Sequence, residues 1–111
     1  MHRDEIPPGT LYLLILKTLT RSGELHGYEI ANSIQRISDD VLQVEEGSLY
    51  PALQRMLREG WLESEAGVSA KGRPTRIYRI TETGLRRLEQ EVSSFAKMFA
   101  GINRVLAVTE I

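Results

Sequence analysis

Between residues 85 and 106 the apolar side chains recur with a period that a single kind of structure can use. Leu85, Leu88, Val92, Phe95, Phe99, Ile102 and Leu106 follow one another in steps of 3, 4, 3, 4, 3 and 4. Apolar a and d positions held over three heptads specify a helix whose stripe faces a partner helix along its length. Thr81 stands where an N-cap belongs, and Glu82 follows in the first turn, where a carboxylate complements the helix dipole. About 25 residues at ~1.5 Å each make a rod of about 37 Å, longer than one small domain needs to cover itself. Leu85 and Leu88, nearest the preceding segment, are expected to fold back on their own chain. Phe95, Met98, Phe99 and Ile102 have nothing left within the chain to pack on, and a soluble monomer rarely leaves such a patch open. The stripe therefore predicts a homodimer with Leu88, Val92, Phe95, Phe99, Ile102 and Leu106 at the interface. Gly101 is expected to kink or weaken the helix near its end.

The preceding residues supply the domain that this helix joins. Ile6-Pro7-Pro8-Gly9 is a breaker cluster, and Thr10 is the expected cap of a first helix. Leu11, Leu14, Ile15 and Leu19 recur at helical spacing, with Leu13 and Leu16 on a second face, so this helix belongs at the buried centre. Ser22-Gly23 ends it. A second helix is predicted from about Gly27 to Ile37, stopped by Ser38-Asp39-Asp40. A third is predicted from Gly47 or Ser48 to Glu59, with Leu49, Leu53, Met56 and Leu57 on its buried face and Pro51 in its first turn. Glu45 and Glu46 sit where negative charge suits the start of that helix. Trp61 to Glu65 and Arg76 to Thr81 read as two short strands joined by the long, glycine- and cation-rich loop Ala66–Thr75. The fold expected is mainly α with a small β-hairpin: a domain over residues 1–81 and a dimerisation helix over 82–111.

Composition removes several classes of function. The chain has no cysteine and only two histidines, His2 and His26, so neither a metal nor a cofactor is expected. It holds no paired nucleophile and base and no glycine-rich phosphate loop, so an enzyme is not expected. The longest purely apolar run, Leu11 to Leu16, is far short of a membrane span, and the first residues have no signal-peptide pattern. The expected compartment is the cytoplasm.

The net charge of −1 hides a strong division. Residues 24–46 carry six acids against one cation, Arg36, whereas residues 47–81 carry six cations against three acids. Lys71, Arg73, Arg76 and Arg79 fall within nine residues with no acid among them. A local basic patch is what phosphate contact requires. Three helices, a basic-tipped hairpin and a long helix form the layout of a winged helix-turn-helix. In such a domain the second helix of the turn unit enters the major groove. Ser48 and Tyr50 would bring hydroxyls near the start of that helix. Gln54 can pair with adenine, and Arg55 or Arg58 with guanine or phosphate. A solvated helix face with no partner explains the same three side chains equally well. The wing tip with Lys71 and Arg73 tips the balance towards double-stranded DNA. Arg76 and Arg79 are weaker candidates, because Glu63 and Glu65 on the neighbouring strand offer them partners. The alternative function is a winged-helix protein–protein interaction module without DNA binding.

Three segments in the same order resemble the PadR family of bacterial transcriptional regulators. They are His26-Gly27-Tyr28-Glu29-Ile30, Glu46-Gly47-Ser48-Leu49-Tyr50-Pro51-Ala52-Leu53 with Leu57, Gly60 and Trp61, and Arg76-Ile77-Tyr78-Arg79-Ile80-Thr81-Glu82-Thr83-Gly84. The resemblance spans about residues 10–90 and points to the short-tailed branch with a single C-terminal helix. It implies a homodimeric repressor of a palindromic operator, released by a small hydrophobic or aromatic effector. It also implies that Tyr28, Ser48, Tyr50 and Pro51 meet the DNA. Tyr78 would pack the hairpin, and Gly84 would permit close approach of the last helix. By position, Phe95, Met98 and Phe99 would line an effector cavity between two subunits; plain dimer packing accounts for the same residues. Drug-binding relatives use a tryptophan in the last helix, whereas the single tryptophan here is Trp61.

Overall fold

The computed structural model describes residues 6–107. Helix α1 (Pro8–Ser22) opens at a proline rather than after Thr10. Pro8 loses no hydrogen bond at the first helical position and has its φ already set, so the breaker cluster doubles as the start signal. Thr10 is thereby inside the first turn and caps nothing. Leu11, Ile15, Leu16 and Leu19 are buried, as the two-sided apolar pattern demands. Gly23, with φ of 77°, stops the helix and donates its N–H to the Leu19 carbonyl at 2.9 Å.

A two-residue strand, β1 (Leu25–His26), leads directly into α2 (Gly27–Ile37), whose bounds match those expected. Glu29 holds the start of α2 by accepting the His26 N–H at 2.8 Å. After α2 the chain reverses through Asp39 and Asp40, both left-handed at φ 58° and 65°. Short carboxylate side chains tolerate that conformation better than most residues. Helix α3 (Glu46–Arg58) starts under Glu45, whose carbonyl accepts the N–H groups of Ser48 and Leu49 at 3.0 and 2.9 Å. Because α3 begins earlier than the sequence suggested, Pro51 lies beyond the first turn, inside the helix. Its missing N–H leaves the Gly47 carbonyl without a helical partner.

The hairpin strands β2 (Leu62–Val68) and β3 (Pro74–Ile80) are longer than expected, and the connecting tip is correspondingly shorter, residues 69–73. The sheet order is β1-β3-β2, antiparallel throughout, with Leu25 opposite Tyr78 and Glu65 opposite Ile77. Trp61 precedes β2 and is buried against the helices. Gly67 continues β2 instead of ending it, and the Ile77 side chain fills the space a β-carbon would take there. Pro74 opens β3 beyond the reach of β1, where its missing N–H breaks no ladder on that side.

Helix α4 (Glu82–Ala107) is continuous through Gly101, so the glycine does not end it. Thr81 caps it, accepting the Gly84 N–H at 3.0 Å and donating its hydroxyl to the Gly60 carbonyl at 2.6 Å. Gly84 and Leu88, one turn apart, turn into the core. Leu85 lies off that row and stays 41% exposed, so of the two leucines expected to fold back only Leu88 does. The core gathers α1, the inner faces of α2 and α3, Trp61, Leu62, Tyr78 and Leu88.

Candidate nucleic-acid interface

Helices α2 and α3 meet at a glycine. A β-carbon on Gly27 would lie 3.4 Å from the Tyr50 ring and 3.7 Å from Leu53, so the first turn of α2 lies directly against α3. Leu49, Leu53 and Met56 anchor α3 from below. Its outer face therefore presents Ser48, Tyr50, Pro51, Gln54, Arg55 and Arg58, all exposed. Within that face two rows separate. Tyr50 and Gln54 are one turn apart, with Tyr50 lying on Gly27 at the start of α2. Ser48, Pro51, Arg55 and Arg58 form the second row and line a groove of about 390 Å³ together with Pro8 and Tyr12 of α1.

The wing tip is shaped by its own backbone. The Ser69 N–H donates to the Arg73 carbonyl at 2.8 Å, and the Gly72 N–H to the Ser69 carbonyl at 2.9 Å. Gly72 takes φ of 79°, which a side chain would resist. Lys71 and Arg73 are both exposed on this closed turn. They share a cleft of about 410 Å³ with Tyr28 of α2 and with Ser69 and Pro74. Tyr28 is steadied by the His26 ring, stacked on it at 5.5 Å and 14°. Tyr28, Lys71 and Arg73 are thus brought together on the wing side of α3, and Ser48, Pro51, Arg55 and Arg58 on the α1 side. The two sets do not form one compact patch. They flank Tyr50 and Gln54.

Arg79 is committed elsewhere. It faces Glu24, Glu63 and Glu65 at 3.4, 3.2 and 3.1 Å. The hydrogen bond it donates to Glu65, with the Glu63 and Glu65 charges, raises its pKa above the ordinary arginine value. Arg76 donates to the Ser64 hydroxyl at 3.1 Å. Tyr78 is buried in the hairpin, and that burial, reinforced by the nearby Tyr50 phenol, pushes its own phenol up.

Sequence reasoning missed Tyr12. Its ring carries the Arg55 guanidinium 5.6 Å from its centroid and meets Trp61 edge-on at 5.7 Å. Contacts across more than forty residues leave no local periodicity, so only the fold reveals them.

On α4, Val92, Phe95, Met98, Phe99, Ile102 and Leu106 are all exposed within the single chain. Phe95 and Phe99 stack at 5.9 Å. Phe95 and Met98 line a groove of about 300 Å³ with Pro7, Leu13 and Glu91, between α4 and the start of α1; Phe99 lies outside it. Among the described residues no cluster of three metal-ligating side chains occurs, and no helix is long and apolar enough to cross a membrane.

The family described as transcriptional regulator PadR-like matches residues 15–90 of the chain. An uncharacterized protein of Lysinibacillus sphaericus is 30% identical over 98 residues, covering 88% of this chain and 89% of that protein. A PadR-like transcriptional regulator from Bacillus cereus is 31% identical, with a TM-score of 0.74 over 91% of this chain and 95% of that one. A transcriptional regulator from Clostridium thermocellum is 29% identical, with a TM-score of 0.78 over 86% of this chain and 92% of that one.

Proposed function

Because the chain belongs to the PadR-like family of transcriptional regulators, we propose that it is a cytoplasmic, homodimeric bacterial repressor that binds a palindromic DNA operator and catalyses nothing. Residues 1–81 form the DNA-binding part and residues 82–111 the dimerisation arm. The observation that carries this reading is the shared orientation of chemistry on α3. Every polar side chain named above for DNA contact is exposed, while the same helix is locked to the core by Leu49, Leu53 and Met56. A surface helix so anchored holds its outer side chains in fixed positions, which base readout requires.

The two flanks divide the work. Tyr50 and Gln54 read base edges, with Arg55 and Arg58 able to take guanine or phosphate. Tyr28, Lys71 and Arg73 hold the backbone on the wing side, and Ser48 and Pro51 sit against it at the start of α3. The exposed apolar stripe of α4 is the dimer interface, which in a twofold assembly sets two α3 helices on successive half-sites. The groove holding Phe95 and Met98, open in one chain, is the place for a small hydrophobic effector, and a second chain's α4 would close it.

A salt titration against the DNA upstream of the gene and against a random duplex tests this reading. Wild type is expected to prefer the upstream DNA with a steep salt slope. Lys71→Ala should weaken both duplexes and lower the slope by about one, as loss of a phosphate contact does. Gln54→Ala should cost roughly 1–3 kcal/mol on the operator and little on random DNA. Equal losses would remove Gln54 as a base reader. No binding to any duplex would favour the protein-interaction module instead.

A further inference from the structure

Among the described residues Arg55 is the one cationic candidate DNA contact whose head group lies over a ring of another element, and that hold can be followed through four side chains. Its guanidinium lies over the Tyr12 ring of α1. Tyr12 in turn meets Trp61 at a ring distance of 5.7 Å and an angle of 69°, the edge-to-face arrangement that fixes ring orientation. Trp61 is also covered by the guanidinium of Arg87 of α4, 4.8 Å from its centroid. Arg87 is itself held by Glu91, one turn on, at 2.6 Å. Trp61 is buried, so this stack passes through the core and joins α4 to the outer face of α3.

We propose that Tyr12 is a positioning residue for DNA readout: fixed by Trp61, it holds Arg55 on the α1 side of α3 and so sets which group of the operator Arg55 meets. The proposal rests on the DNA-binding reading above. An exposed arginine on a helix otherwise samples many rotamers, and ordering it on binding weakens the contact it makes. A planar guanidinium resting on an aromatic face has much of that ordering done beforehand, and its edge N–H groups remain available for hydrogen bonds. Lysine would not substitute, since its point charge has no planar fork to keep in register. No other arginine on α3 has an aromatic partner of this kind among the described contacts: Arg58 lines the same groove without one.

The test is a mutant cycle on operator and random duplexes, with Tyr12→Leu, Tyr12→Phe, Arg55→Ala and the Tyr12→Leu/Arg55→Ala pair. Tyr12→Phe keeps the ring face and is expected to bind as wild type does. Tyr12→Leu should lose roughly tenfold on the operator, the scale of one base contact, and much less on random DNA. Adding Tyr12→Leu to Arg55→Ala should then cost almost nothing more, because Tyr12 acts only through Arg55. Multiplying losses, equal losses on both duplexes, or a Tyr12→Phe defect as large as that of Tyr12→Leu would each overturn the proposal. Wild type that binds neither duplex would instead overturn the DNA-binding reading, and wild type that binds both equally would overturn its sequence specificity and the proposal with it. Melting curves establish that each variant is folded at the assay temperature. Should Tyr12→Leu not be, Tyr12→Met fills the same space without a ring face and takes its place in the cycle.

Discussion

Phe99→Glu is expected to leave a folded monomer that no longer binds the operator. Phe99 is 54% exposed in the single chain and lies beyond the last core contact of α4, so the substitution removes little from the fold itself. In the proposed dimer the same side chain is buried twice over, once per subunit. Burying a phenylalanine contributes about 1.5–3 kcal/mol, and the carboxylate that replaces it would have to enter an apolar seam without a partner. Two such losses, about 3–6 kcal/mol together, would weaken the association by roughly two to four powers of ten. A monomer meets a single half-site and loses the linkage between two recognition helices, which supplies most of the operator affinity. Sedimentation velocity reads the first effect and the operator titration the second. An intact dimer would remove the α4 stripe as the interface.

Gly84→Ala is expected to be the most destabilising small substitution in the chain. The glycine sits in the first turn of α4, where the helix lies on the backbone of the residue before β2. A β-carbon would press on the Trp61 carbonyl and come within 2.7 Å of Ile80. The carbonyl is backbone and cannot swing aside. It also accepts the Thr81 N–H at 3.0 Å, so moving it disturbs the cap of α4. Overpacking of this kind costs about 3 kcal/mol, or a drop in Tm of roughly 10–20 °C for a domain of this length. Gly101→Ala is the matched control in the same helix. Nothing lies within 4 Å of its added carbon, so helix propensity alone acts and stability should rise by up to about 1 kcal/mol. Thermal melts of the two variants should move in opposite directions. A neutral Gly84→Ala would mean that α4 does not rest on Trp61 as described.

The elements that could be read from the sequence are those whose signal is local. The heptad stripe of α4, the bounds of α2 and the buried row of α3 each follow from side-chain spacing alone, and the structure places them accordingly. Errors gathered where a breaker residue had a second use. Pro8 starts a helix, Gly67 and Pro74 lie inside strands, and Thr10, a good cap elsewhere, is pre-empted by the prolines. Strand β1 was invisible because two residues carry no period. At the candidate interface the residue types and the face of α3 were legible. Their grouping was not, since it depends on Tyr12, Gly27 and the closure of the wing, contacts made only after folding. The retention of Arg79 by strand acids was legible in outline, because Glu63 and Glu65 sit on the paired strand; Glu24 was not.

That arginine gives the wing a polarity. At its root one cation stands among three carboxylates, and at its far end Lys71 and Arg73 stand exposed. The strands between them span about 20 Å, roughly two screening lengths at ordinary ionic strength. In the proposed DNA-binding function such a division would repel a polyanion at the root and attract it at the tip, turning the duplex towards α3 before contact. An isolated basic loop would attract DNA from every direction and favour none. If the chain binds DNA as proposed, the acids at the root add direction to that approach instead of merely opposing it.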